Sequence, residues 1–476
     1  MKITSTNKSR AKRSFMPLAV ITLAHLMAVF DNTIMIVALP VLQMSLKISA
    51  VDRQWIITAY TLAYAGLLLL GGRLADRFGA KRTLIVGVIG FALASAVGGL
   101  SQSFAMLVVA RAIGGAFGAI LTSSTKTLLA LTYTEKQQRA KAMGVFGATL
   151  AMGSVLGMAL GGLIIGTLGW RWCFFINLPI SIFIISFGLK ALLRVPAKKQ
   201  VHIDLTSAAI FSISIIALVY GLGGAADNGW GTPIVVGSIA TCVISAITFI
   251  IMQQRKIHPL LPLRILRDRL RGGALLASIF DSFGTLGLML ILTFQLQKVQ
   301  GFTAFETGLT LIPLMLATTI LSAFVAPRLM CKVAPVWLIT GDVVFSGLGL
   351  LTLAFLQAGA WFWPVLILAE ILEGVGTGLG TAPTMHTSLI GIEPEDVGIV
   401  SSASSATSQM GSSIGTALLN TIAVSVVGVA ATGSIMGYGF AIACGYGGVL
   451  LLVVSVIVFM IMGSPSAKRR VFTKVS

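Results

Sequence analysis

Charge is scarce in this chain. Of 476 residues, 10% are charged and only 15 are acidic, while 56% are hydrophobic. A soluble domain carries about 25% charged residues, so water is excluded as the main solvent. Cysteine is scarce as well. Cys173, Cys242, Cys331 and Cys444 stand far apart, which leaves neither a metal-ligand spacing nor a paired disulfide framework. No glycine–x4–glycine–lysine–serine/threonine loop occurs, which argues against an ATP-driven pump. No nucleophile–base pair or metal cluster stands out, which argues against an enzyme. The net charge of +19 lies between apolar runs, with no aromatic-rich basic face, so nucleic acid is not an expected partner.

What the chain does have is apolar runs from end to end. Fourteen membrane spans are expected, each needing roughly 20 apolar residues. They lie near 16–39, 53–71, 82–101, 104–128, 140–166, 173–193, 205–223, 233–252, 273–296, 306–326, 336–356, 362–385, 398–427 and 437–462. The basic start and first apolar run mimic a secretory signal, but the run is too long and further spans follow, so an uncleaved first helix is expected. Lysine and arginine collect on one side. That side holds Lys2, Lys8, Arg10, Lys12 and Arg13, then Arg77, Lys81 and Arg82, then Lys136, Arg139 and Lys141, then Arg194, Lys198 and Lys199. The basic stretch around 253–271 and the tail continue the series. The opposite side shows little beyond Lys47, Arg53, Arg171 and Lys298. By the positive-inside rule both termini are cytoplasmic, which requires an even number of spans.

Few ionisable residues fall inside the spans. A charge at the bilayer centre costs about 2.5–3.5 kcal/mol on insertion scales and usually faces the bundle interior. Asp31, midway along span 1, is too deep to reach the interface and is the first choice for a protonation site, with Arg111 of span 4 as a possible partner. Asp281 lies about a third of the way into span 9. Glu370 and Glu373 are three apart, so they share one helix face in span 12. These three acids are candidates for attracting a cationic solute or a second proton. Asp342, close to the cytoplasmic end of span 11, reads as structural. Lys126 reads as snorkelling to the interface, and His25 as a packing residue.

Glycine supplies a second pattern. GFALASAVGG, RAIGGAFGA, GVFGATLAMGSVLGMALGG and EGVGTGLG space small residues for close helix approach. Spans 4 and 12 echo each other, each opening a glycine-rich helix with a charge. Two equivalent halves, spans 1–6 and 9–14, are therefore expected, with 7–8 inserted. The corresponding division is 1–200, 201–271 and 272–476.

Four stretches resemble the major facilitator superfamily, and most closely its 14-span drug:proton antiporters. GGRLADRFGAKRTL is similar to the family's loop between spans 2 and 3, matching at Gly72, Leu74, Asp76, Arg77, Gly79, Lys81 and Arg82. VVARAIGGAFGA resembles the motif whose buried arginine is linked to proton coupling, with Arg111 and Gly115 in place and Gly114 where glutamine is usual. The span-5 run resembles the antiporter motif at Gly153, Gly157, Gly161 and Gly162, with Met158 for the usual proline. FDNTIMIVALP resembles the span-1 signature at Asp31, Thr33, Ala38, Leu39 and Pro40. LGWRWCFFINLPI, with Trp170, Arg171, Trp172 and Asn177, is similar to the group's span 5–6 junction.

The resemblance implies an all-α integral membrane protein of the major facilitator fold, two six-helix bundles plus two inserted helices. It implies proton-coupled multidrug efflux of lipophilic cations by alternating access, with no cofactor beyond the proton gradient. Asp31 and Arg111 would couple the proton. Gly72, Asp76, Arg77, Gly79, Lys81, Arg82 and the four span-5 glycines would serve the conformational change. Protons, lipophilic cations and membrane lipids are the expected partners of a monomer in a bacterial inner membrane. The alternative is proton-coupled transport of one specific metabolite.

Overall fold

The computed structural model describes residues 15–46, 55–192, 204–256, 268–356, 361–390, 392, 397–427 and 433–463. The basic positions Lys2 to Arg13, Lys47, Arg53, Arg194, Lys198, Lys199, most of the basic stretch between 257 and 267 and the tail lie outside them, as do the side chains of Pro40, Lys136, Met158 and Lys298.

The described residues are helical from end to end, with no strand among them. The principal helices are α1 (Met16–Ser45), α2 (Trp55–Phe78), α3 (Ala80–Gly99), α4 (Phe104–Thr132), α5 (Lys136–Thr167), α6 (Asn177–Ala191), α7 (Leu205–Asn228) and α8 (Pro233–Arg255). They continue as α9 (Arg269–Phe294), α10 (Ile312–Ile320), α11 (Pro335–Leu353), α12 (Phe362–Ser388), α13 (Val397–Val427) and α14 (Gly433–Met462). Thirteen helical stretches among the described residues are long and apolar enough to cross a membrane. The remaining expected span, 140–166, is helical within α5.

The expected span near 306–326 is present within the stretch Glu306–Leu329, though not as one regular helix. Ala304–Thr310 precedes α10, and the π-helical turn Leu321–Val325 and the short helix Ala326–Leu329 follow it. Pro313 and Pro327 each remove a backbone donor and break the ladder. The stretch 71–84 is not an open loop either. The α2 helix runs through Asp76 and Arg77 to Phe78, and α3 starts at Ala80. Gly79 alone turns the chain, at a φ of 88° that only glycine adopts freely.

Helix packing repeats along the chain. In the first half α1 packs on α4, α5 and α6, α2 on α4, and α3 on α4 and α6. In the second half α9 packs on α12, α13 and α14, α10 on α12, and α11 on α12 and α14. Each of these first-half pairings recurs in the second half, eight helices later. The halves meet where α2 and α4 touch α13, and where α5 touches α10 and α12. The inserted α7 lies on α2 and α13, and α8 packs mainly on α7.

The apolar cores show which end is closed. At the end where α2 turns into α3, one core joins Ala80, Leu84 and Met143 to Met330, Leu338, Met385 and Val397, crossing between the halves. Ser322 reinforces that junction by donating from Oγ to the Gly144 carbonyl at 2.6 Å. At the other end the cores stay separate, Phe30, Leu42 and Trp170 within one half and Leu296, Leu356 and Phe362 within the other.

Candidate functional site

Asp31 projects from the middle of α1 and is 1% exposed. From α4, Arg111 donates through Nη1 to Asp31 Oδ2 at 2.6 Å. From α6, Asn177 donates through Nδ2 to Asp31 Oδ1 at 2.8 Å, and the same amide group donates to Ser95 Oγ of α3 at 3.1 Å. Arg111 is held in turn. Its Nε donates to the Ile56 carbonyl of α2 at 3.1 Å, and its guanidinium lies 4.3 Å from the centre of the Tyr60 ring. Five of the six helices of this half thus meet at one ion pair. Removing two charges from water costs several kcal/mol per ion, so only close pairing and extra hydrogen bonds make such burial tolerable. Two polar atoms here lack a partner among the described residues, Arg111 Nη2 and Asn177 Oδ1.

Local sequence explains the placement. Gly115, one turn after Arg111, lies directly against the Tyr60 carbonyl, where any side chain would collide. The α5–α6 junction is pinned at three points. Gly169 turns the chain at a φ of 87°, Trp170 donates to Ser45 Oγ at 3.1 Å, and Arg171 donates to the Ser101 carbonyl at 3.2 Å. The result sets Asn177 at the first position of α6, facing Asp31.

The span-5 glycines form a seat for α1. A Cβ on Gly153 would lie 2.8 Å from Val29, one on Gly157 2.8 Å from Thr33, and one on Gly161 2.7 Å from Ile34. These contacts bracket Asp31 in sequence, so the glycine row sets how closely α1 approaches α5. Gly162 is half-buried, beside that row. In the 72–82 segment, Gly72 is buried in the last turns of α2, Asp76 and Arg77 are half-buried there, and Arg82 is exposed. In this segment Lys81 makes a long-range contact. Its ammonium donates to the Leu189 and Leu192 carbonyls at 2.6 and 3.0 Å, closing the C-terminal end of α6, where the helix dipole favours a cation.

The second half holds acids of a different kind. Glu373 Oε1 accepts from Thr285 of α9 at 2.6 Å and from Thr377 at 3.4 Å, and the two threonine hydroxyls are 3.2 Å apart. Asp281, midway along α9, is half-buried on the side that packs against α11 and α12, and its Oδ1 has no partner among the described residues. Glu370 stands apart: it is 0% exposed and neither carboxylate oxygen has a partner among the described residues. The shared face of Glu370 and Glu373 therefore does not make them a contacting pair. Among the described residues no lysine, arginine or histidine pairs with Asp281, Asp342, Glu370 or Glu373.

Sequence reasoning missed several of these groups. Asp342 is not near a helix end. It lies near the middle of α11, 1% exposed, because α11 begins at Pro335 and ends by Leu353. Ser95 and Tyr60 carried no sequence signal. Asn177 stood in a recognisable stretch, but no role was read for it. His25 stacks on Phe146 at 4.2 Å, as a packing residue would.

The model described as the Major Facilitator Superfamily matches residues 21–416. The chain is 35% identical to the puromycin resistance protein of Streptomyces alboniger, over 95% of this chain and 92% of that one. It is 31% identical to the cephamycin export protein of Amycolatopsis lactamdurans, over 84% and 83%. A multidrug transporter protein of Bacillus subtilis is 28% identical over 89% and 77%. Among solved structures, the human organic anion transporter MFSD10 is similar in fold, with a TM-score of 0.64, 18% identity and coverage of 94% and 99%.

Proposed function

The chain belongs to the Major Facilitator Superfamily, a family of membrane transporters rather than enzymes, and from that premise we propose that it exports lipophilic cationic compounds in exchange for protons. The observation that carries this reading is the buried Asp31–Arg111 pair, held by hydrogen bonds from five helices. Drug efflux and resistance in the names of similar proteins support the export direction. Acids without basic partners in the second half favour cationic cargo.

The chemistry follows from the pair. A proton arriving at Asp31 converts an acceptor-only carboxylate into a neutral acid. Arg111 then loses its counter-charge, while its bonds to Ile56 and Tyr60 hold it on α2. The α1 helix, freed from α4, shifts on its glycine seat in α5, and that shift biases the two halves to rock about the α2–α13 and α5–α10 contacts. With both termini cytoplasmic, the joined core lies at the cytoplasmic face, and this conformer opens outward. Protons enter from outside and leave inward, while the cation travels out. The chain works as a monomer in a bacterial plasma membrane, with the proton gradient as its only energy source.

The test is ethidium transport in proteoliposomes under an imposed pH gradient. Wild-type protein moves the dye against its gradient, and Asp31→Asn folds but does not. Equal accumulation by the two proteins would overturn the assignment of Asp31. A drug panel on a pump-deficient bacterium separates multidrug export from a dedicated metabolite carrier: shifted susceptibility to several unrelated cations supports the former.

A further inference from the structure

The two halves carry the same packing but opposite charge. Gly115 rests against the Tyr60 carbonyl of α2, and Gly374 rests 2.7 Å, measured from a Cβ position, from the Leu314 carbonyl of α10. Arg111 precedes the first glycine by four residues and Glu370 precedes the second by four, so an acid occupies the arginine's register. The α5 and α13 helices repeat as well. MGSVLGMAL, 152–160, matches MGSSIGTAL, 410–418, at six of its nine positions by direct reading, including both glycines. Gly157 approaches the Phe30 carbonyl at 3.2 Å, and Gly415 lies against that of Phe283. Asp31 therefore corresponds to Gly284, and the acid of α9, Asp281, sits one turn earlier on the same face.

In the first half, the charge of the buried acid is compensated by a guanidinium built into the chain. Among the described residues the second half has no such group. Asp342 is almost fully buried, and its Oδ1 has no partner among the described residues. Gly284 of α9 packs against Ser346 of α11, which sets Asp281 and Asp342, one turn earlier on each helix, on the facing sides of that seam. The groups facing it are known from each neighbouring helix. From α9 comes Asp281. From α12 come Glu373, Thr377 and the closely packed Gly380. The α14 helix meets α11 at Gly347, beyond Asp342, through Gly448 and Leu451, while its Tyr438 and Tyr446 are exposed and its Cys444 lies in the apolar core. Two facing carboxylates have no donor between them, so they can meet only by sharing a proton. An oxygen-bound metal ion would instead hold its ligands at about 2.0–2.6 Å from itself and spread them wider. Among the described residues no three acidic, histidine or cysteine side chains converge on such a centre.

We propose that Asp281 and Asp342, with Glu373 beside them, form a second proton-binding site, where an exchangeable proton takes the place of the guanidinium in the first half. The proton binds one carboxyl oxygen, is shared with the facing one, and is released unchanged when the half reopens. Asp342 is the residue that makes the site, because it sets a second carboxyl against Asp281. The proposal deepens the proton-coupled reading above and rests on it only for transport.

Infrared spectroscopy of the full chain in lipid at neutral pH tests the site without any substrate. In a Glu370→Gln background, which removes the band of that separate buried acid, the chain shows a protonated-carboxyl stretch that Asp342→Asn removes, while Asp31→Asn retains it. Asp281→Asn serves as the second variant of the same pair if Asp342→Asn does not insert. Retention of the band in the variants of both residues would overturn the proposal. So would its loss on adding sodium at constant pH, which would indicate a metal cation. In proteoliposomes, the proton count per ethidium falls by about one in Asp342→Asn, and an unchanged count would also overturn it. If ethidium is not transported at all, the exporter reading fails while the infrared result still decides the site.

Discussion

In the first half of this molecule one buried acid meets a buried arginine, while in the second half four buried or half-buried acids meet no base among the described residues. The scaffold does not account for the difference, because helix pairings and glycine contacts recur between the halves. What differs is the charge placed in equivalent registers, Arg111 against Glu370. A common helical frame thus supports one site whose counter-charge is covalent and one whose counter-charge must come from solution. In the proposed cycle a proton breaks an existing ion pair at the first site, and at the second it takes the place of the missing cation.

The comparison breaks most sharply at Arg111. Arg111→Ala leaves Asp31 buried with only Asn177, and the expected loss of stability is about 3–5 kcal/mol. Combining it with Asp31→Asn should recover part of that loss. Glu370→Gln, in the equivalent register, removes no partner and should leave stability within about 1 kcal/mol of wild type or above it. Thermal unfolding of detergent-purified protein checks all three. An equal loss for Arg111→Ala and Glu370→Gln would remove the distinction between the halves.

A smaller effect sharpens the glycine register. Gly115→Ala drives a methyl into the Tyr60 carbonyl and should cost about 1–3 kcal/mol. The neighbouring Gly114→Ala meets nothing closer than 3.8 Å and should be close to neutral. The same unfolding measurement distinguishes them.

The smallest expected effect lies in the inserted helices, which belong to neither half. Asp204 caps α7 and pairs with Lys256 at the end of α8. Burial alone would raise its carboxyl, but hydrogen bonds from Lys256 and Ser207 outweigh burial and hold it below the usual carboxylate range. A depressed folded value means the contact stabilises above the unfolded pKa, about 3.9. That stabilisation is lost as pH falls through the lower folded value. Hydrogen exchange at the start of α7 should therefore rise in acid, and Asp204→Asn should show the faster exchange already at neutral pH.

Much of this was legible in the sequence because membranes limit the choices. A backbone in hydrocarbon must satisfy its own hydrogen bonds, so long apolar runs become helices. An acid inside such a run is rare enough to single out Asp31. The partner was also reachable, since few cations lie within the spans. The rest was not legible for definite reasons. The end of α2 carries Arg73, Asp76 and Arg77, which read as loop, yet the helix continues because helices persist past the apolar zone. Asp342 reads as peripheral when the apolar run 336–356 sets the span, but the helix ends at Leu353. Tyr60, Ser95 and Asn177 are ordinary residues until three other helices bring them beside a charge.

Composition and periodicity determined that the chain is a bundle of membrane helices with a few costly charges inside it. They also identified which acid of the first half lies deepest, since depth follows from position along a run. Only the tertiary structure decided which charges are neutralised. Neutralisation depends on contacts across 80 residues of sequence between Asp31 and Arg111, and on the absence of any such contact around Asp342. Linear spacing carries no information about either. The rotation of each helix about its axis, set by glycines pressed against neighbouring backbones, is what turned one acid toward an arginine and another toward an acid.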